Sequence, residues 1–571
     1  MKRRIAGALL GVLAAAAAAQ AQVPALVAAR GSSPVILTGI DLPAFSTPSP
    51  IPFRPTQVDE EELVWITPPN ASTLGANVAT GSIAVFAYHD GAFAEIPSQV
   101  DEKFWRYLQN LGGENGTYSG YDLELTFVMD EEGIRRTAGV CYASFPEGEP
   151  VTTPDPIPGF DDDDELVFMA RDAAAAAPAL AQPIAGAPTY EVEIVDPLTG
   201  DTRYAYVVSS PGHVHDFGLG YVAYERDEFS DRYVNVRSGN GNPEGPRCSG
   251  PDNLAASYPP GEGPVVTSTG PRRPRDTGTF TSDRYQLHWG GRWIPDEIHI
   301  ETQAESETGY GPDLIDQWKG RAFQLAEEQL ISVGFIGDSA WEGTSADLGH
   351  RVGPVRVIRE TWGAKSGTNV TRVYTLYDEL FQDQFNLRVH PIPPDGIYSM
   401  YDHNAGSVNR YYSPVVGAGV PIDGVDDEVF GNIDVAPGTG LESHYDFTDP
   451  TVQPLLAPET WEQVAGPHGS IVYYLNNDRP GGGVITMYYR DDLAFHDGSG
   501  SDPVGNEGSF GTHGVHFFAT GDTDNLPFGF PITEVNVVQS QYMLPGDPGN
   551  VGEAYATAER IPLEVTTSLR P

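Results

Sequence analysis

Thr279-Phe280-Thr281-Ser282-Asp283-Arg284-Tyr285-Gln286-Leu287-His288-Trp289, then Gly290-Gly291, then Trp293 to Ile300, is the stretch whose reading decides the fold. Two runs rich in β-branched and aromatic residues flank a Gly-Gly pair, and glycine takes the positive backbone angles of a tight turn at no steric cost. The segment reads as a β-hairpin. The same pattern recurs on both sides: Ser82 to Tyr88, Asp122 to Met129, Asp164 to Met169, Tyr190 to Val195 and Arg203 to Val208 before it; Val355 to Trp362, Thr371 to Tyr377, Ser470 to Leu475, Val484 to Arg490, Gly514 to Ala519 and Ile532 to Val538 after it. With 64 Gly and 49 Pro spread among 27 Tyr and 24 Phe, the composition is that of many short strands joined by turns. A mainly β protein of two or three β-sandwich domains follows.

One segment breaks this pattern. Leu314, Trp318, Ala322, Leu325 and Ala326 fall at helical spacing behind Pro312, which predicts one long helix over Asp313 to Ile331. Composition shifts divide the chain into a leader over 1–21, a Pro-rich unstructured lead-in over 22–56, a β domain over 57–172, a β segment over 189–240 packed on that domain, and a large β-sandwich over 278–571. The Ala- and Pro-rich stretch from Ala173 to Pro188 reads as a linker.

The leader places the protein outside the cytoplasm. Lys2-Arg3-Arg4 precede an apolar run from Ile5 to Ala18 and the small-x-small end Ala19-Gln20-Ala21, which predicts export with cleavage after Ala21. That run is too short to span a bilayer, and no later stretch approaches the roughly 20 apolar residues of a spanning helix. The product is therefore expected to be secreted, periplasmic or held at the cell surface. A formal net charge of −46 repels nucleic acid, and the densest basic cluster, Arg272, Arg273 and Arg275, lies among Pro and Gly. Cys141 and Cys248 are the only cysteines, and an oxidising compartment predicts one disulfide between them.

Several constellations carry chemistry. Asp161-Asp162-Asp163-Asp164-Glu165 crowds carboxylates into one loop, a repulsion that a hard cation taking six to eight oxygens relieves. Calcium held by Asp161, Asp163 and Glu165 is the expectation; a solvated acidic turn is the plainer alternative. His213-Val214-His215-Asp216 puts two imidazoles on one side of an extended segment, a weaker transition-metal signal for which no third ligand is evident. No GxSxG nucleophile elbow occurs. Finally, Tyr398 to Asn404 and Asn409 to Tyr412 gather the residue types that meet sugars: Tyr401, Asp402, Asn404 and Tyr412 for contact, with His403, Arg410 and Tyr411 for acid–base work.

Gly353-Pro354-Val355-Arg356-Val357-Ile358-Arg359 resembles a strand found in the large β-sandwich domains of some polysaccharide lyases and mutarotase-like proteins. The resemblance covers seven residues and reaches no catalytic motif, so it implies a large sandwich that meets carbohydrate and no particular reaction. The functional expectation is a secreted calcium-binding β-sandwich protein acting as an extracellular binding or structural module for polysaccharide. The alternative is an extracellular polysaccharide lyase or glycosidase.

Overall fold

The computed structural model describes residues 25–49, 78–109, 121–130, 155, 157–215, 218–226, 233–235, 272–274, 277–290, 294–301, 309–321, 346–363, 369–391, 397–435, 461–476, 483–494, 508–519 and 532–571. The expected leader with its cleavage point, Cys141, Cys248 and Asp216 lie outside these residues.

Antiparallel sheets dominate. The opening hairpin is present, with one refinement: the run from Thr279 to Trp289 is not one strand. Thr277–Ser282 and Tyr285–Gly290 pair with each other, and Tyr285–Gly290 pairs in turn with Glu297–Ile300. The break falls at Asp283-Arg284, where the Ser282 hydroxyl accepts the backbone N–H groups of Arg284 and Tyr285, both at 3.1 Å. Two hairpins therefore stand where one was read.

The large sandwich has a nine-stranded sheet facing a six-stranded one. Their facing side chains share one core that includes Tyr374, Phe381, Tyr401, Tyr411, Val464, Ile471, Met487 and Tyr489. Alternation along each strand decides which residues enter this layer. On the nine-stranded sheet Glu462, Tyr473 and Gln541 are in register across three strands; on the six-stranded sheet Tyr401, His513 and Tyr489 are.

The expected helix over Asp313 to Ile331 is overturned in its first half. Ile315–Arg321 is a strand at the edge of the six-stranded sheet, paired with Ile397–His403, and residues 322–331 lie outside the described part. An apolar stripe this short fits a strand as well as a helix, and Gly320 costs a helix about 1 kcal/mol; pairing with the edge of Ile397–His403 decides the outcome. One helix that does form, Gly552–Arg560, lies near the other end of the chain. It buries Ala554, Tyr555 and Ala558 on one side, with Tyr555 against Tyr542 at 4.7 Å. No described helix is long and apolar enough to cross a membrane.

The lead-in also departs from expectation, because 25–49 is built into the fold. Residues 25–31 are helical, and Pro34–Thr38 pairs antiparallel with Glu165–Met169. Arg30 anchors the start, donating to the Asp196 carboxylate at 3.2 Å and to the Ala558 carbonyl at 2.9 Å. Pro-rich flanks suggested disorder, but Val35 and Leu37 have an apolar sheet face to cover and do so. The chain's last strand, Glu564–Leu569, leaves the large sandwich and pairs with Thr189–Val195 in a five-stranded sheet.

Glu165–Met169 holds the two halves together. Leu166 and Phe168 point into the core beneath the five-stranded sheet, while Val167 and Met169 point the other way, against Val355, Tyr377, Val472 and Leu544 of the large sandwich. The acidic run enters this seam strand from its N-terminal side.

Candidate cation loop and buried acid–base cluster

The loop from Asp161 to Asp164 is clamped from two sides. A parallel bridge joins Asp161 to Thr47, and the Asp162 N–H donates to the Thr47 carbonyl at 3.0 Å. Gly39 packs so closely that a Cβ there would stand 1.9 Å from the Asp161 carbonyl oxygen, so glycine is required by space. Within the loop, the Asp161 carboxylate accepts the Asp163 N–H at 3.1 Å, and the Asp164 carboxylate accepts the N–H groups of Asp161 at 3.0 Å and Lys103 at 2.8 Å. Ser49 donates to Asp163 at 2.7 Å.

These contacts leave charge uncompensated. Asp161 and Asp164 are fully buried, and one oxygen each of Asp155, Asp161 and Asp163 is buried without a hydrogen-bond partner. Burial is the main cause that pushes the Asp155 carboxyl up to about 7 and Asp164 to about 8, with neighbouring carboxylates adding to it; Asp161 and Asp163 move the same way. Asp155, Asp161 and Asp164 each offer an oxygen within 4.8 Å of the others. A calcium ion with bonds of about 2.4 Å reaches oxygens up to about 4.8 Å apart, so this donor set fits a hard cation.

Of the three residues expected to hold calcium, only Asp161 belongs to this group. Glu165 does not belong to the set: as the next residue on an alternating strand it faces away from Asp164, where Lys103 meets it at 2.7 Å and Arg356 at 2.5 Å. Asp163 lies beside the trio, tied to Ser49, while Asp155 and Asp164 join Asp161. Asp155 is six residues away across a Pro- and Gly-containing stretch, and no local spacing marks it.

The expected sugar-binding face is not an open one. Tyr401, Asp402, His403, Tyr411 and Tyr412 are all buried. Asp402 accepts the Phe510 N–H and the Thr512 hydroxyl, both at 2.7 Å. Asn404 donates to the carbonyls of Asp313 and Ile315 at 3.1 and 2.7 Å, Arg410 donates to the Gly419 carbonyl at 3.4 Å, and Tyr412 packs against Trp461 and Ala556. These side chains brace the sandwich. Strand residues alternate, so a Tyr-rich pair of strands sends half its rings into the core whatever their chemistry.

His403 and Tyr411, by contrast, converge with Glu462 and His513 from other strands. The Tyr411 hydroxyl donates to Glu462 at 3.1 Å, and the other Glu462 oxygen lies 3.1 Å from His513 Nδ1. The His403 and His513 rings stack at 5.0 Å with planes 9° apart, and Tyr473 meets His513 edge-on at 4.6 Å. Burial drives both imidazoles down to about 3 and pushes the Glu462 carboxyl well up. Burial therefore favours the neutral form of each of these groups, and the tautomer of His513 decides which partner of the Glu462–Nδ1 contact carries the proton. Nε2 of His403, Nε2 of His513, the Tyr473 hydroxyl and the Gln541 amide have no hydrogen-bond partner among the described residues. His513 sits mid-strand in Ser509–Ala519. Glu462 lies in Trp461–Gly466 with only its own charge to mark it.

His213 and His215 both meet the Glu95 carboxylate, on a strand the sequence reading had not connected to them.

No protein-family model matches the chain, and no curated protein does. Among solved structures, a protein of Escherichia coli K12 described as an aldose 1-epimerase is similar at 10% identity, with a TM-score of 0.21, covering 47% of this chain and 95% of that one. The likeness to mutarotase-like proteins is remote, and nothing about this chain's chemistry is argued from it.

Proposed function

We propose that the protein is an exported, calcium-binding β-sandwich protein that serves as an extracellular binding or structural module, with polysaccharide as its partner. One observation carries the calcium reading: Asp155, Asp161 and Asp164 direct buried oxygens at a common point while Lys103 and Arg356, the nearby cations, are engaged by Glu165 instead. A buried unpaired carboxylate is costly, and a divalent ion offsets that cost. The ion would brace the seam strand Glu165–Met169, and so the junction on which both cores depend. The basic leader and Ala19-Gln20-Ala21 support export. The net charge of −46 disfavours an anionic polymer, so a neutral polysaccharide is the partner that fits. Calorimetric titration of chelator-treated protein should show one tightly held calcium per chain, lost in Asp161→Asn and in Asp164→Asn and retained in Asp426→Asn. Equal uptake by all of these would refute the assignment.

A second reading, a polysaccharide lyase or glycosidase, is favoured by the Glu462–His513–Tyr411 contacts. A carboxyl and an imidazole in hydrogen-bond contact can pass protons to or from a bound substrate, and because a single transfer between them leaves a carboxylate–imidazolium pair that burial penalises, a substrate group must supply or take up the compensating proton. Orphan polar atoms cost about 1–3 kcal/mol each, and a sandwich needing only packing gains nothing from them. On this reading Glu462→Gln lowers cleavage of the polysaccharide, a neutral one for a glycosidase or a uronic-acid polymer for a lyase, by at least about 100-fold while the melting temperature stays close to wild type. A polymer left intact by the wild-type protein removes the enzyme reading and leaves the calcium reading standing.

A further inference from the structure

We propose that Glu95, His213 and His215 form a second metal site, for a transition-metal ion of which zinc is the leading case, on the five-stranded sheet and distinct from the acidic loop.

The segment after Thr202–Ser209 turns at Ser210, whose carbonyl accepts the His213 N–H at 3.0 Å. Exposure alternates beyond it: Val214 is 81% exposed while the rings on either side of it turn inward. Both rings meet Glu95 of the strand Ala92–Ile96. His213 Nε2 lies 3.0 Å from one Glu95 oxygen and His215 Nδ1 lies 3.1 Å from the other. The rings stand 5.1 Å apart and nearly perpendicular, at 84°, so their lone pairs converge from different directions. Phe86 packs edge-on against His213 at 5.6 Å and closes one side. The three side chains are 14 to 23% exposed, which leaves the group dehydrated yet reachable from solvent.

The contacts of His215 with Glu95 and Gly81 make the case specific. Its Nε2 lies 3.0 Å from the Gly81 carbonyl. A carbonyl only accepts, so Nε2 carries the hydrogen and a neutral His215 presents the bare Nδ1 lone pair to Glu95. A lone pair and a carboxylate oxygen 3.1 Å apart repel unless something positive lies between them: a second proton, or a metal ion. Holding the distal nitrogen of a histidine on a backbone carbonyl is also how metal-bound imidazoles are oriented and their tautomer set. The donor separations agree, since a tetrahedral ion with bonds of about 2.0 Å has ligand–ligand edges of about 3.3 Å. Two imidazoles and one carboxylate suit zinc, copper, nickel or iron and not calcium, and three protein ligands leave a position for water or another ligand.

The full chain, stripped with chelator and dialysed, is titrated with cobalt(II). One equivalent should be taken up, giving the visible ligand-field absorption of a low-symmetry nitrogen–oxygen site. One equivalent of zinc should abolish that absorption, and a tenfold excess of calcium should leave it in place. His213→Asn, His215→Asn and Glu95→Gln should each weaken uptake by more than the ~10–100-fold that losing an outer-shell partner costs, with circular dichroism unchanged. The assignment is overturned if no stoichiometric absorption develops, if calcium displaces the ion, or if the three variants bind as the wild type does. Should an asparagine variant fail to fold, the near-isosteric Glu95→Gln alone decides, because it preserves shape while removing the anionic ligand.

Discussion

Arg356→Ala is expected to lower folding stability by about 3–5 kcal/mol, the usual result of stripping one partner from a buried ion pair. Arg356 is 2% exposed and its guanidinium spans the seam. Nε donates to Asp101 at 2.8 Å, Nη2 to Glu165 at 2.5 Å, and Nη1 to the Tyr377 hydroxyl at 3.2 Å. Asp101 is fully buried and also receives Arg351 at 3.0 Å. Alanine would leave Glu165 with Lys103, and Asp101 with Arg351 and the neutral Gln99 amide, so each buried carboxylate would lose one of its two cations among the described residues. Burial pushes the Glu165 carboxyl up, but Arg356 and Lys103 more than offset it and hold the group below its ordinary value. A depressed carboxylate contributes stability above its unfolded pKa that is lost as pH falls through the folded one, so this contribution disappears on the acid side. Lysine should not rescue the site, because one ammonium cannot reproduce the planar fork that meets two carboxylates and a phenol. Denaturant unfolding followed by tryptophan fluorescence measures the effect. A loss below about 1 kcal/mol would mean that the seam is held by the apolar packing around Val167 and Met169 alone.

Metal-free protein should lose stability as pH rises from about 4 to about 8, and calcium should restore it. Asp155 near 7, Asp164 near 8 and the still higher Asp161 all lie above their unfolded values. The folded state therefore binds more protons than the unfolded chain, and stability that is full below the unfolded pKa declines as pH climbs through the folded values. Calcium competes with those protons, so its stabilising effect should be small at pH 5 and large at pH 8. At a hundredfold excess over the dissociation constant the gain is about 2.7 kcal/mol. Thermal melts at the two pH values, with calcium and with chelator, supply the four numbers needed. A calcium shift of equal size at pH 5 and pH 8 would contradict the proton competition and with it the trio as the binding site.

How much of this was legible depended on the range of the interactions concerned. The hairpins around Gly290, the strands Thr189–Val195 and Gly469–Asn476 and the crowding at Asp161 follow from side-chain alternation, turn chemistry and like-charge proximity, all local properties of the chain. The helix expected after Pro312 failed for the same reason: a stripe of five apolar residues is local information, and an unpaired sheet edge next to Ile315 outweighs it. The 25–49 segment reads as a lead-in until its partner strand, more than 100 residues away, is known.

The sites divide along the same line. By itself the sequence determined that the protein is β-rich and acidic, that Asp161 carries a concentration of charge, and that His213 and His215 share one side of an extended segment. Tertiary structure alone decided that Glu165 turns to Arg356 while Asp155 and Asp164 face Asp161, that Glu95 lies under the two imidazoles, and that His403 and Tyr411 are enclosed with Glu462 and His513. The physical reason is that alternation tells only which side of a strand a residue takes. What lies on that side depends on which distant strands pair and in what register, and a shift of one residue would exchange every buried group in these clusters for its exposed neighbour.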